Sequence, residues 1–191
     1  MSKDELTKRE TKMTKMTDRH ENLTVNEKKQ IVYQFTKRTD LPINTVQLAH
    51  ELGIDVYGAD WKTDSAKISG LIRKAKIENN GNRFEILVNQ KHPQTRRRFT
   101  RAHERAHFVL HEEYIGDGIN DDALYRIGLP TKFEREANEY AAEILMPTHK
   151  LNYEISQTGI NIEKLAKTFD VSKVAMSIRL KLAPDVTTQQ D

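Results

Sequence analysis

Apolar side chains recur at helical spacing along much of the chain, and short apolar runs with strand character fall between these stretches. The helical pattern predicts helices at residues 26–38, 42–52, 95–112, 131–145, 148–157, 161–169 and 172–182. The shorter runs predict strands at residues 54–57, 68–77 and 84–88. The Asn80-Gly81 pair is typical of a hairpin turn, because these residues tolerate positive φ. The predicted fold class is α+β and mostly helical, with a small antiparallel sheet packed on the helix at 95–112.

The same pattern divides the chain into one folded region and two tails. Residues 1–25 carry too few aliphatic side chains to offset the entropy of ordering, which predicts a disordered or weakly helical tail. Residues 26–183 are predicted to form one domain, because a chain of 191 residues is long enough to bury a single core. Its subregion 161–182 is predicted to be a helix-turn-helix-like pair, and residues 184–191 form a second tail.

Composition narrows the kinds of site that the domain can hold. The sequence contains no cysteine, so a bound metal ion would depend on histidine and carboxylate ligands. No stretch approaches the roughly 18 consecutive apolar residues of a membrane span, and the first ten residues lack the apolar core of a secretory signal. These features predict a cytoplasmic protein with no membrane partner. The net charge of +3 is too small to indicate nucleic-acid binding by itself.

Residues 103–107, His-Glu-Arg-Ala-His, match the H-E-x-x-H pattern of zinc peptidases. On a helix, His103 and His107 lie one turn apart and about 40° apart around the axis, so both imidazoles can reach one ion. Glu104 projects farther round the helix, which predicts that it is the catalytic base toward a water molecule at the metal rather than a ligand. The alternative interpretation is a half-exposed helix that binds no metal.

Catalytic zinc sites usually have three protein ligands, so a third donor is needed. His111 is too far from His103, about 12 Å along a straight helix. Glu134 flanks the apolar stripe of the next helix on the side that carries small residues, whereas Glu136 falls on the opposite flank. We therefore predict one Zn²⁺ per chain, bound by His103, His107 and Glu134, with Glu136 as the alternative third ligand.

Other polar residues are predicted to support this site. Asn138 lies one turn after Glu134 and is predicted to hydrogen-bond a histidine ligand, and His111 is predicted to contact the ligands or to pack beside them. The strand at 84–88 is predicted to offer its edge to an extended peptide. The residue that stabilises the oxyanion stays open among four candidates: Tyr114, Tyr125, His111 and His149.

Two segments, residues 98–107 and 134–147, resemble the ImmA/IrrE family of bacterial zinc metallopeptidases, and the resemblance extends from about Leu41 to Leu182. The first segment carries H-E-x-x-H, and the second carries Glu-Arg-Glu-Ala-Asn, similar to the E-x-x-A-N pattern of the family. The chain departs from the family at Arg105-Ala106, where an apolar residue and a glycine are usual. The resemblance implies a gluzincin-like site with Glu134 as the third ligand.

The resemblance also implies a function: a zinc-dependent metalloendopeptidase that cleaves a helix-turn-helix transcriptional repressor and thereby derepresses stress or mobile-element genes. The alternative is a regulator that keeps the peptidase fold and binds DNA or a repressor without cutting, and a third hypothesis is an inert structural relic. Basic residues are sparse in the segment 161–182, which argues against direct DNA binding and favours a helix pair that completes the peptidase core.

Overall fold

A computed structural model describes residues 23–60, 68–75, 84–115 and 130–181. The helices in these residues are α1 Val25–Arg38, α2 Thr45–Glu51, α3 Gln94–His111, α4 Pro130–Leu145, α5 Thr148–Thr158, α6 Ile162–Phe169 and α7 Lys173–Arg179. The strands are β1 Ile54–Ala59, β2 Gly70–Lys74 and β3 Phe84–Asn89. A short 3₁₀ turn, Glu112–Tyr114, follows α3. The predicted α+β class is confirmed. Among the described helices, none is both long and apolar enough to cross a membrane.

Most helix bounds follow the predicted ones closely, and the largest differences lie at α2 and α7. α2 begins at Thr45 rather than at residue 42, because the side chain of Asn44 caps it by accepting the backbone N–H groups of Val46 and Gln47. α7 ends at Arg179, three residues before the predicted end. The predicted tails, 1–25 and 184–191, lie outside the described residues except for residues 23–25, and Val25 already begins α1.

The three strands form one sheet in the order β1-β3-β2. β2 and β3 are antiparallel, with Ile72 opposite Ile86, which confirms the predicted pairing; the Asn80-Gly81 turn lies outside the described residues. β1 runs parallel to β3, with Ile54 opposite Phe84. The predicted antiparallel sheet is therefore wrong, and the sheet is mixed. The apolar pattern identifies each strand, but it does not specify the direction of the strand's partner.

The position of β3 also corrects the predicted substrate edge. β3 is the central strand, and both of its edges are occupied by β1 and β2, so it has no edge to offer a peptide. β2 is an outer strand of this sheet and lies close to α3. A Cβ atom at Gly70 of β2 would stand 2.4 Å from Cγ2 of Thr100 and 2.8 Å from the carbonyl oxygen of Leu87. Only glycine fits there, and its lack of a side chain lets β2 approach α3.

α3 is the central helix, because it contacts the sheet, α2 and α4. Against β3, the rings of Phe84 and Phe108 meet edge to face with centroids 5.0 Å apart. Both α3 and α4 bury small residues, namely Ala102, Ala106, Ala137 and Ala141. Small side chains let two helix axes come close, so polar side chains at the flanks of α3 and α4 can meet.

The C-terminal helices are joined to the same core. Leu165 and Phe169 of α6 and Met176 of α7 belong to the buried apolar cluster. Nε of Arg98, on α3, lies 3.1 Å from both the carbonyl oxygen and Oδ2 of Asp170, the residue that ends α6. These contacts agree with the interpretation that α6 and α7 complete the core. The likeness of this helix pair to a helix-turn-helix unit stays a prediction.

Arg105 of α3 is fully buried, with 0% of its surface exposed. Its Nη2 atom donates to the carbonyl oxygen of Thr45, whereas Nε and Nη1 have no hydrogen-bond partner within the described part of the chain. Burial, together with the nearby charge of Arg101, lowers the pKa of Arg105 to about 9, so the side chain is still protonated at neutral pH. A buried cation with two unsatisfied donors lowers the stability of the fold.

Replacing Arg105 with methionine is expected to raise the free energy of unfolding by about 1–3 kcal/mol, because the apolar side chain removes the buried charge at similar volume. Urea denaturation at neutral pH measures the change. Arg101→Met is the matched control, since Arg101 is only partly buried and its Nε atom donates to Oγ1 of Thr45. A lower unfolding free energy for Arg105→Met than for the wild type would contradict the prediction.

Candidate metal centre

The H-E-x-x-H segment is helical, as predicted, and it places two imidazoles together on one face of α3. The Nε2 atoms of His103 and His107 are 3.1 Å apart, and the ring centroids are 4.7 Å apart. The side chain of His107 is 3% exposed and that of His103 is 16% exposed, so the pair lies at the rim of the core. A ligand between these nitrogens would be held by buried side chains and still be reached from solvent.

α4 brings the carboxylate of Glu134 to the same point. Oε2 of Glu134 lies 3.2 Å from Nε2 of His103, and Oε1 lies 3.1 Å from Nε2 of His107. Glu136, the alternative third ligand, is turned away, and its Oε2 atom lies 3.0 Å from Nε2 of His111. Within the described residues, His103, His107 and Glu134 are therefore the acidic and histidine groups that converge closely enough to hold one metal ion.

The pKa values of this cluster follow from its hydrogen bonds and its burial. Hydrogen bonds from His103 and His107 hold the pKa of the Glu134 carboxyl well below its usual range. Burial acts to lower the pKa of His103, but its hydrogen bond to Glu134 and the charges of Glu104 and Glu134 outweigh burial and raise it. Burial dominates at His107 and lowers its pKa. The cluster therefore keeps an anionic carboxylate beside one imidazole that favours the neutral, metal-binding form.

The outward-facing nitrogen of each histidine also has a partner. Nδ1 of His103 lies 3.0 Å from Oδ1 of Asn138, one turn after Glu134 on α4. Nδ1 of His107 lies 3.3 Å from Nδ1 of His111. Both residues predicted to support the site thus contact the two imidazoles, each on the ring edge that faces away from Glu134.

Glu104 lies beside the three converging groups and is not one of them. Its side chain is almost entirely buried, and a Cβ atom on Gly70 would stand 3.6 Å from its Oε1 atom. Glu104 therefore faces the start of β2, and its negative charge acts on the neighbouring imidazole of His103. The sequence pattern does not predict the part played by Gly70, whose only signal is a glycine near the start of the predicted strand at 68–77.

The four candidates for stabilising an oxyanion lie in different surroundings. The ring of Tyr114 packs against Phe133, with centroids 5.0 Å apart, at the start of α4. His149 packs against Tyr33 of α1, and His111 is engaged by Glu136. Tyr125 lies outside the described residues. The choice among these candidates stays open.

The fold and the cluster together define an α+β protein with a metallopeptidase-type arrangement of two histidines and a glutamate from neighbouring helices. The chain belongs to the Peptidase_M78 family, the IrrE N-terminal-like domain, whose model matches residues 49–181. This membership confirms the family that the sequence resembles.

The fold also has a solved relative. A Mycobacterium tuberculosis transcriptional regulator is similar over 93% of this chain, with a TM-score of 0.54 and 15% sequence identity. The chain spans about half of that protein, 53% of its length. At this identity the likeness concerns the fold alone. A comparison with curated proteins finds no match.

Proposed function

We propose that this protein is a zinc-dependent metalloendopeptidase in which His103, His107 and Glu134 hold one Zn²⁺ per chain. The observation that carries the proposal is the convergence of two imidazole nitrogens and one carboxylate, from two packed helices, at 3.1–3.2 Å from one another. Glu104 is the catalytic residue beside them.

The donor set and its spacing suit zinc. Two neutral imidazoles and a carboxylate are the ligand set of several zinc peptidases, and a catalytic site leaves one further position open. Ligand atoms about 2.0–2.1 Å from a tetrahedral ion are roughly 3.3–3.4 Å apart, close to the separations among His103, His107 and Glu134. The hydrogen bonds to Asn138 and His111 fix the ring orientations that such binding needs.

When bound, the zinc ion would supply Lewis-acid polarisation of the scissile carbonyl and a lowered pKa for water. The carboxylate of Glu104 takes a proton from the attacking water and passes it to the nitrogen of the leaving amine. Its buried position limits the access of bulk water to this transfer. The reaction consumes one water and breaks one peptide bond.

β2 is the strand that we propose for substrate binding, in place of β3. It borders the sheet at the side where Gly70 approaches Glu104, so an extended peptide added to its outer edge would pass Glu104. Strand addition relies on backbone hydrogen bonds and therefore tolerates varied sequences.

The substrate class that we propose is a helix-turn-helix transcriptional repressor in the cytoplasm, whose cleavage derepresses stress or mobile-element genes. Membership of the family supports this choice. The structural relative is a transcriptional regulator, which is in keeping with this choice, although that role belongs to the other protein.

The proposal is tested by co-expressing the protein with a helix-turn-helix repressor encoded near its gene and by measuring its metal content. We expect about one zinc per chain and a repressor fragment that disappears after chelation and returns when zinc is added back. A protein that binds zinc and the repressor but never produces a fragment would instead be the non-cleaving regulator. A protein without stoichiometric zinc would contradict the proposed centre.

A further inference from the structure

His111 connects the histidine pair to a second carboxylate. It is buried, its Nδ1 atom lies 3.3 Å from Nδ1 of His107, and its Nε2 atom lies 3.0 Å from Oε2 of Glu136. Its ring stacks on Phe133, with centroids 4.4 Å apart and an angle of 26° between the planes. Both nitrogens and one face of His111 are therefore engaged, and the ring has one orientation.

The positions of the protons follow from these contacts. His107 directs Nε2 toward Glu134 and His103, so a cation bound there would use the Nε2 lone pair and leave the proton on Nδ1. Nδ1 of His107 then donates to Nδ1 of His111, and Nε2 of His111 donates to the carboxylate of Glu136. Only this assignment gives every bond one donor and one acceptor while His107 presents a lone pair to the ion.

We propose that Glu136 and His111 form a positioning relay that fixes the tautomer and the orientation of His107 for metal binding. The inference deepens the proposed function and rests on it. His103 is held by the neutral amide of Asn138, whereas His107 is held by a chain that ends in a carboxylate. A carboxylate behind a histidine makes the metal-binding nitrogen more basic. Glu136, which the sequence left as the alternative third ligand, thus acts on the centre without touching it.

The surroundings of Glu136 provide a matched control. A cavity of about 460 Å³ borders His111 and Glu136 between α3, α4 and α7, and Glu139 lines the same cavity three residues after Glu136. Glu139 has the same charge and lies on the same helix, while the carboxylate that contacts His111 belongs to Glu136. If negative charge in the cavity matters in general, replacing either glutamate should change metal affinity. If the relay matters, only the replacement of Glu136 should change it.

The test is a Co²⁺ and Zn²⁺ titration, by chelator competition, of the full chain and four variants: His111→Phe, His111→Gln, Glu136→Gln and Glu139→Gln. We expect His111→Phe to bind both metals about 10–100-fold more weakly and to change the visible spectrum of bound Co²⁺. His111→Gln should restore most of the affinity, because its amide can accept from His107 and donate to Glu136. Glu136→Gln should show a smaller loss, and Glu139→Gln none.

The outcomes separate the relay from the metal centre itself. A wild type that binds neither metal would overturn the proposed function, and the relay with it, before any variant is compared. If the wild type binds metal and both His111→Phe and Glu136→Gln match it, the relay is wrong and the metal centre stands. Unfolding of the metal-free proteins distinguishes a relay from a packing role of His111. If His111 only packs, His111→Phe would lower the midpoint of unfolding without altering the affinity for Co²⁺ or the Co²⁺ spectrum. Should His111→Phe not fold, the comparison of Glu136→Gln with Glu139→Gln decides the question.

Discussion

Replacing Glu104 with glutamine is expected to slow cleavage of the substrate by about 10²–10⁴-fold while zinc stays bound. Glutamine has nearly the same shape as glutamate, but it cannot accept a proton from water at neutral pH. The side chain is not among the three converging groups, so its replacement leaves His103, His107 and Glu134 in place. Single-turnover rates of repressor cleavage, measured together with the zinc content of the same samples, give both quantities.

Glu139→Gln is the control for the loss of a negative charge, because Glu139 is an exposed glutamate of α4. It should cleave at the rate of the wild type. Cleavage by Glu104→Gln at that same rate would show that Glu104 is not the base. Loss of zinc in Glu104→Gln would instead identify Glu104 as a ligand, and the roles of Glu104 and Glu134 would then need to be exchanged.

The parts of the fold that depend on local periodicity could be predicted from the sequence. α3 and α4 begin and end within one residue of the predicted bounds, because their apolar residues recur regularly, neither contains glycine, and the one proline, Pro130, is the first residue of α4. The spacing of His103 and His107 fixes their proximity once the helix forms. The side of α4 on which Glu134 projects follows from the same periodicity, and the small residues on that side favoured its meeting with the histidines.

The parts that depend on contacts between distant segments could not be predicted. The parallel pairing of β1 with β3 is a contact between distant segments, and the apolar pattern of each strand is the same for either direction. The close approach of Gly70 to Glu104 likewise joins residues from a strand and a helix. Glu136 was predicted only as the alternative third ligand, because its helical position lies on the flank opposite Glu134. Its length nevertheless lets it reach the buried ring of His111.

Replacing Glu134 with alanine is expected to weaken zinc binding by more than about 100-fold, beyond the usual range for residues that only support a ligand. The carboxylate of Glu134 supplies the one negative charge among the three converging groups, and its oxygens lie within 3.2 Å of both Nε2 atoms. Its removal leaves two neutral imidazoles, which provide too few ligands for a stable catalytic site. Zinc affinity by chelator competition measures the loss, and repressor cleavage should fall with it.

Glu136→Gln distinguishes the two carboxylates that the sequence left as alternatives for the third ligand. Glu136 faces His111 rather than the pair of Nε2 atoms, so its replacement should cost far less affinity than the replacement of Glu134. The opposite order, with Glu136→Gln losing zinc and Glu134→Ala retaining it, would mean that α4 turns to present its other carboxylate when metal binds. The packing of Ala137 and Ala141 against neighbouring elements opposes such a rotation, because both side chains are fully buried and a turned helix would bring larger groups into their place.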